Sequence, residues 1–68
     1  MSGKGQRQRM IGDWLRKHEV GSQEELVARL GLAGIAATQA TVSRDLDELG
    51  AVKLRRDGAI RYVLSQQV

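Results

Sequence analysis

Thr38-Gln39-Ala40-Thr41-Val42-Ser43-Arg44-Asp45-Leu46-Asp47-Glu48-Leu49-Gly50 reads as one helix with both ends marked. Thr38 is an N-cap residue, whose side-chain oxygen accepts from an otherwise orphaned amide of the first turn. Gly50 supplies the left-handed residue that closes a helix. Between them Val42, Leu46 and Leu49 share one side at i, i+4 and i+7, while Ala40, Ser43, Arg44 and Asp47 point the other way. The buried stripe is narrow, and the outward face begins with small and hydrogen-bonding side chains instead of the usual Lys/Glu mixture.

Upstream, Gly21 breaks the chain and Ser22-Gln23-Glu24-Glu25 offers a reciprocal capping box, with Ser at the N-cap and Glu three residues later. A second helix starts there, with Leu26, Leu30 and Ala33 as its buried stripe and Val27 at the edge. Its end is open to two readings. Gly31 and Gly34 each suit the left-handed cap, and each brings an apolar pair together, Leu32 on Val27 or Ile35 on Leu30. Further upstream, Ile11, Trp14, Leu15 and His18 form the stripe of a first helix beginning near Gln6, with Arg9, Asp13, Arg16 and Lys17 opposite. Asp13 stands four residues from both Arg9 and Lys17, the spacing at which ion pairs form on a helix. Gly12 costs up to about 1 kcal/mol relative to Ala inside a helix, and close approach of another backbone is the one sequence-level reason for it. Residues 1–5 form a polar, Gly-rich lead expected to fray.

Downstream of Gly50 the period changes to alternation, with Val52, Leu54, Ile60, Tyr62 and Leu64 interleaved by Lys53, Arg55 and Arg61. This is a hairpin. A two-residue Asp57-Gly58 turn sets Leu54 against Arg61 and Ile60 against Arg55, which mixes apolar and charged residues on both faces. A three-residue Arg56-Asp57-Gly58 loop with a G1 bulge at Gly58 instead pairs Leu54 with Ile60, Val52 with Tyr62 and Lys53 with Arg61, giving one apolar and one basic face. The second register is the expected one, and its like-charge Lys53–Arg61 pair calls for something negative lying over it. Three helices followed by a two-stranded hairpin make an α+β, mostly α, fold: a winged helix-turn-helix, with helices two and three as the turn motif and the hairpin as the wing.

A chain of 68 residues holds one small core, since domains of this size bury only about 60% of their unfolded surface. It contains no Cys and one His, which removes disulfides, thiolate zinc sites and histidine-rich metal centres. One Trp, one Tyr and no Phe leave almost nothing for the aromatic stacking used by single-strand binders. No apolar stretch resembles a signal peptide or a membrane span, so the chain reads as soluble and cytoplasmic. The net charge of +3 is unevenly spread. Residues 1–20 carry five basic and two acidic groups, residues 21–50 two and five, and residues 51–68 four and one. The cations therefore sit on the first helix and the wing, which run along the phosphates when a winged helix docks its third helix into the major groove.

Base-edge chemistry then nominates the readers. Gln39 can present its amide to adenine, Arg44 its fork to guanine, Ser43 a hydroxyl to either, and Ala40 and Thr41 a methyl group to thymine. Gln39, Thr41 and Ser43 equally suit capping and solvating a helix, and pattern alone leaves both readings standing. Lys4, Arg7, Arg9, Lys53, Arg55, Arg56 and Arg61 are the candidate phosphate contacts. Asp45, Asp47 and Glu48 oppose the helix dipole near its C-terminus, so Asp45, nearest the buried stripe, is expected to pair with a cation such as Arg7 or Arg29.

The run Thr38–Leu46, followed by Glu48-Leu49-Gly50-Ala51-Val52-Lys53, closely resembles the recognition-helix signature of bacterial arginine repressors. Gln23-Glu24-Glu25-Leu26-Val27, Gly34 and the start Lys4-Gly5-Gln6-Arg7 are similar to the rest of that family's N-terminal domain, so the resemblance covers nearly the whole chain. It favours Gly34 as the second helix's cap and supports Gln39, Ser43 and Arg44 as groove-facing, with the cations of the first helix and wing on phosphates. It implies a transcription regulator, a repressor binding double-stranded operator DNA in genes of arginine metabolism, with L-arginine as corepressor. In that family arginine binds a separate C-terminal domain that also assembles trimers into hexamers. The expectation is therefore a DNA-binding fragment, monomeric alone and without a cofactor of its own. Its parts would be a lead over 1–5, the winged domain over 6–64 and the start of an interdomain linker over 65–68. A short natural relative without ligand control is the alternative.

The competing reading is a winged-helix protein-interaction module without DNA binding, favoured by the acidic middle segment. Salt dependence separates the two: about five neutralised phosphates give a log–log slope near −4 to −5. An enzymatic role has no support. His18 lies at a helix end beside an apolar stripe, where packing and the dipole account for it, and Asp45, Asp47 and Glu48 diverge around a helix instead of converging.

Overall fold

The computed structural model describes residues 3–65. Helices α1 (Gly3–Lys17), α2 (Gln23–Leu32) and α3 (Gln39–Leu49) precede strands β1 (Ala51–Arg56) and β2 (Ala59–Leu64), which form one antiparallel hairpin. This is the winged helix-turn-helix arrangement expected from the order of periods. One core is built from the three helices and β2: Ile11 and Leu15 of α1, Val20 of the following connection, Leu26 and Leu30 of α2, Val42 and Leu46 of α3, and Tyr62 and Leu64 of β2, with Ala51 of β1 packed against its edge. Each such side chain contributes about 1.5–3 kcal/mol by leaving water, so the loss of one is a large fraction of what so small a domain has.

The helix ends follow their sequence signals. The Ser22 side chain accepts from the Glu25 amide at 3.1 Å. The reciprocal bond of the capping box is displaced by one residue, with the Gly21 amide donating to Glu25 Oε1 at 3.4 Å. At the other end of α2, Gly34 has φ +85° and its amide donates to Gly31 O, while the Ile35 amide reaches back to Leu30 O at 2.8 Å. That pair of bonds is a Schellman cap, and it selects Gly34. Ile35 accordingly packs against the core beside Leu30, whereas Leu32 is 91% exposed. Thr38 accepts from the Thr41 amide, and Gly50 closes α3 at φ +75°.

Several expectations are corrected. α1 begins at Gly3, inside the segment expected to fray, because Lys4 is anchored to Glu48 of α3 at 2.7 Å; Met1 and Ser2 of that lead, and residues 66–68 of the expected linker, lie outside the described residues. His18 is exposed, and the buried residue at this end is Val20, because α1 stops at Lys17 and the turn swings the chain inward. Ala33 is exposed as the C-cap of α2. Asp13 pairs with Arg16, three residues on, at 3.0 Å. Gly12 is buried, but a Cβ there would meet only the Arg16 guanidinium at 3.8 and 3.9 Å, so no second backbone requires it.

The hairpin register is the largest correction. Leu54 lies opposite Arg61, Arg55 opposite Ile60 and Lys53 opposite Tyr62, around a two-residue Asp57-Gly58 turn. Both turn residues are left-handed, Asp57 at φ 53° and Gly58 at φ 81°, the geometry of a type I′ turn whose twist matches that of the strands. The three-residue loop was expected on the premise that one face of the hairpin is buried. That premise fails, because residues 52–60 are all exposed and the hairpin meets the core only at its base, through Ala51, Tyr62 and Leu64. With no face to bury along most of its length, turn chemistry sets the register. The like-charge Lys53–Arg61 pair disappears with it, and Lys53 Nζ instead sits 5.8 Å from the centre of the Tyr62 ring.

Candidate nucleic-acid interface

α3 stands between two open grooves. On one side, Gly21, Ser22, Gln39, Lys53, Ile60 and Tyr62 line a groove against the N-terminus of α2 and the wing. On the other, Lys4, Arg7, Thr41, Arg44, Asp45 and Glu48 line a groove against α1. The ridge between them carries Ala40 and Arg44, both exposed, with Ser43 half-buried. Val42 and Leu46 hold the opposite side in the core, which is why the ridge faces outward. Of the five nominated readers, Gln39, Ala40 and Arg44 are exposed, and Ser43 and Thr41 are half-buried. Thr41 is further committed locally, since its amide donates to Thr38 Oγ1 and its hydroxyl accepts from Thr38 at 3.0 Å.

The nominated cations divide. Arg9, Lys53, Arg55 and Arg56 are exposed and enter none of the ion pairs of the described residues. Arg7 turns inward, its side chain 17% exposed, and grips Asp45 with both arms of its fork: Nε donates to Oδ2, and Nη2 donates to Oδ1 at 3.0 Å. Lys4 meets Glu48, and Arg61 meets Glu19 at 3.3 Å, its Nε buried without an acceptor. Arg29, the other candidate partner for Asp45, pairs with Glu25 at 3.2 Å and lies 5.9 Å over the Trp14 ring.

Asp45 is the one buried charged residue of the described chain, at 1% exposure. Burial by itself raises its carboxyl. Hydrogen bonds from Arg7 and Gln8, with the charges of Arg7 and Lys4, outweigh that and leave it below the usual range. Because the folded value is depressed, this group contributes stability above the ordinary carboxylate range, and that contribution is lost as pH falls through the lowered value. Glu48 is also lowered, by its bonds to Lys4 and Gln8. The hydrogen bond to Asp45 pushes the Arg7 guanidinium above its ordinary value.

Gln8 was absent from every sequence-based reading, yet its Nε2 donates both to Asp45 Oδ1 at 3.0 Å and to Glu48 Oε1 at 3.2 Å. A signal for it existed, and it corrects the expectation that the three carboxylates of α3 diverge: Asp47 does point away, but Asp45 and Glu48 stand at i, i+3, the spacing that sets two carboxylates side by side for one donor on a neighbouring helix. Glu19, the partner of Arg61, was also missed. Among the described residues no group of His, Asp and Glu could hold a metal ion, and no helix is long and apolar enough to cross a membrane.

A family profile for the arginine repressor DNA-binding domain matches residues 2–68. The arginine repressor of Enterococcus faecalis is 43% identical over 65 residues, which is 94% of this chain and 43% of that protein. That of Thermus thermophilus is 48% identical over 94% of this chain and 40% of its own length. That of Streptococcus equi subsp. zooepidemicus is 46% identical over 93% and 44%. The chain thus spans less than half the length of these relatives, and the profile match over residues 2–68 takes in α3, its flanking grooves and the hairpin: the chain belongs to the family of arginine repressor DNA-binding domains.

Proposed function

We propose that this chain docks α3 in the major groove of an operator duplex, with Arg44, Ser43 and Gln39 reading base edges and Ala40 contacting a thymine methyl group. The outward ridge of α3 carries this reading, because its exposed side chains have base-edge chemistry and its buried ones fix it on the core. Arg9 of α1 and Lys53, Arg55 and Arg56 of the wing lie on phosphates. Lys4, Arg7 and Arg61 leave the phosphate set for their internal partners, and Thr41, tied to Thr38, is a weaker reader than its neighbours. The operator belongs to genes of arginine metabolism, which the whole protein represses. L-arginine acts through the part of the relatives' length that this chain does not cover, and that part also assembles the subunits. The role is regulatory and not enzymatic, and the protein works in the cytoplasm.

Fluorescence anisotropy with a labelled duplex tests the reading. The duplex is the consensus selected from a randomised pool by the unaltered chain, and a scrambled duplex of equal composition is the control. Preference for the selected duplex, with a log–log salt slope of about −3.5 for about four neutralised phosphates, is the expected result. A flat salt dependence or equal affinity for both duplexes refutes it.

A further inference from the structure

The first two turns of α1 have almost no apolar anchor. Gly3, Lys4, Gly5, Gln6 and Arg9 are exposed, and burial in the core begins at Ile11. What ties this segment to α3 is polar: the Arg7 fork on Asp45, the Gln8 amide shared between Asp45 and Glu48, and Lys4 on Glu48. α3 in turn has a narrow apolar stripe, with Val42 and Leu46 buried and Leu49 only half-buried. Apolar contact is non-directional, so two buried side chains tolerate rotation of the helix about its axis. A bidentate guanidinium–carboxylate pair does not, because both N–H···O vectors must remain aligned. Asp45 follows Arg44 directly in sequence, so any roll that breaks the fork also re-aims the side chain next to it.

We propose that Arg7 and Gln8 are positioning residues for base recognition: from α1 they grip Asp45 and Glu48, fix the roll of α3, and so set DNA specificity without touching DNA. This rests on α3 being the reading element. The same α1 segment also neutralises two carboxylates on a helix that approaches a polyanion, Arg7 pairing with Asp45 and Lys4 with Glu48.

The test compares Arg7→Lys, Gln8→Ala and Arg44→Ala with the unaltered chain on the selected and scrambled duplexes, at a temperature where circular dichroism shows each variant folded. Arg7→Lys keeps the charge and loses the fork, a change that is not conservative at a bidentate site. It is expected to weaken the selected duplex about tenfold, to leave the scrambled duplex within about twofold, and to keep the salt slope unchanged. Gln8→Ala is expected to act in the same direction by about threefold, and it carries the test if Arg7→Lys does not fold. Equal losses on both duplexes would mean that the α1 side chains do not act on base preference, and would overturn the proposal. So would unaltered preference in both α1 variants while Arg44→Ala loses it. If Arg44→Ala also keeps its preference, α3 is not the reading element, and the function proposed above falls together with this inference.

Discussion

α3 and the wing are joined by a single residue, Gly50, yet they are held in opposite ways. α3 is fixed on one side by Val42 and Leu46 and along its flank by the Asp45 pair, so its outward ridge is presented at a defined angle. The wing leaves the core after Ala51 and returns at Tyr62; everything from Val52 to Ile60 is exposed, and its shape rests on backbone pairing and a two-residue turn. The contrast matches the work each is proposed to do. Reading a base edge requires placement within a hydrogen bond's tolerance, whereas neutralising a phosphate requires only that a cation come near.

The comparison can be broken most severely at its rigid end. Leu46→Ala is expected to remove about 3 kcal/mol, close to the whole stability of a domain this small, and urea titration followed by circular dichroism reads the loss. A shift under about 1 kcal/mol would mean that α3 is held elsewhere. Next, Arg44→Ala should cost about 1–3 kcal/mol on the selected duplex and relax preference at one base pair, seen by titrating duplexes altered one position at a time. Gly58→Ala places a side chain in the left-handed turn, where open space does not relieve the backbone strain. It should cost about 1 kcal/mol, with amide shifts confined to residues 52–62; shifts spreading into α3 would show that the two regions are coupled. Arg55→Ala is expected to weaken both duplexes equally by under about 1 kcal/mol and to flatten the salt slope by about one unit. Smallest of all, Leu54→Ala, at a wing position 38% exposed, should change stability by less than about 0.5 kcal/mol.

The difference between the two regions also explains which of them could be read in advance. α3 carried its own punctuation in Thr38 and Gly50 and a stripe at 3.6 spacing, and the structure places Val42, Leu46 and the outward ridge accordingly. That Asp45 pairs with a cation was legible as well, because a carboxylate beside a buried stripe at a helix C-terminus needs one, but only the packing of α1 on α3 chose Arg7 over Arg29. The wing misled because its alternation looks like that of a half-buried strand, and alternation cannot distinguish a face covered by protein from one exposed to water. His18 misled for a related reason. Periodicity extends a stripe by one more residue whether or not the helix continues, and here it stops at Lys17.

The linear order of residue types therefore determined the elements, the caps of α3 and the N-cap of α2, the winged architecture and the chemistry offered by α3, since these depend on neighbours within a turn or two. The tertiary structure alone decided which cations face outward, that Gln8 bridges two carboxylates 37 and 40 residues away, and that the wing is exposed on both faces from Val52 to Ile60. Those outcomes depend on the relative placement of elements, and no local pattern encodes the distance between side chains that meet only after the core has closed.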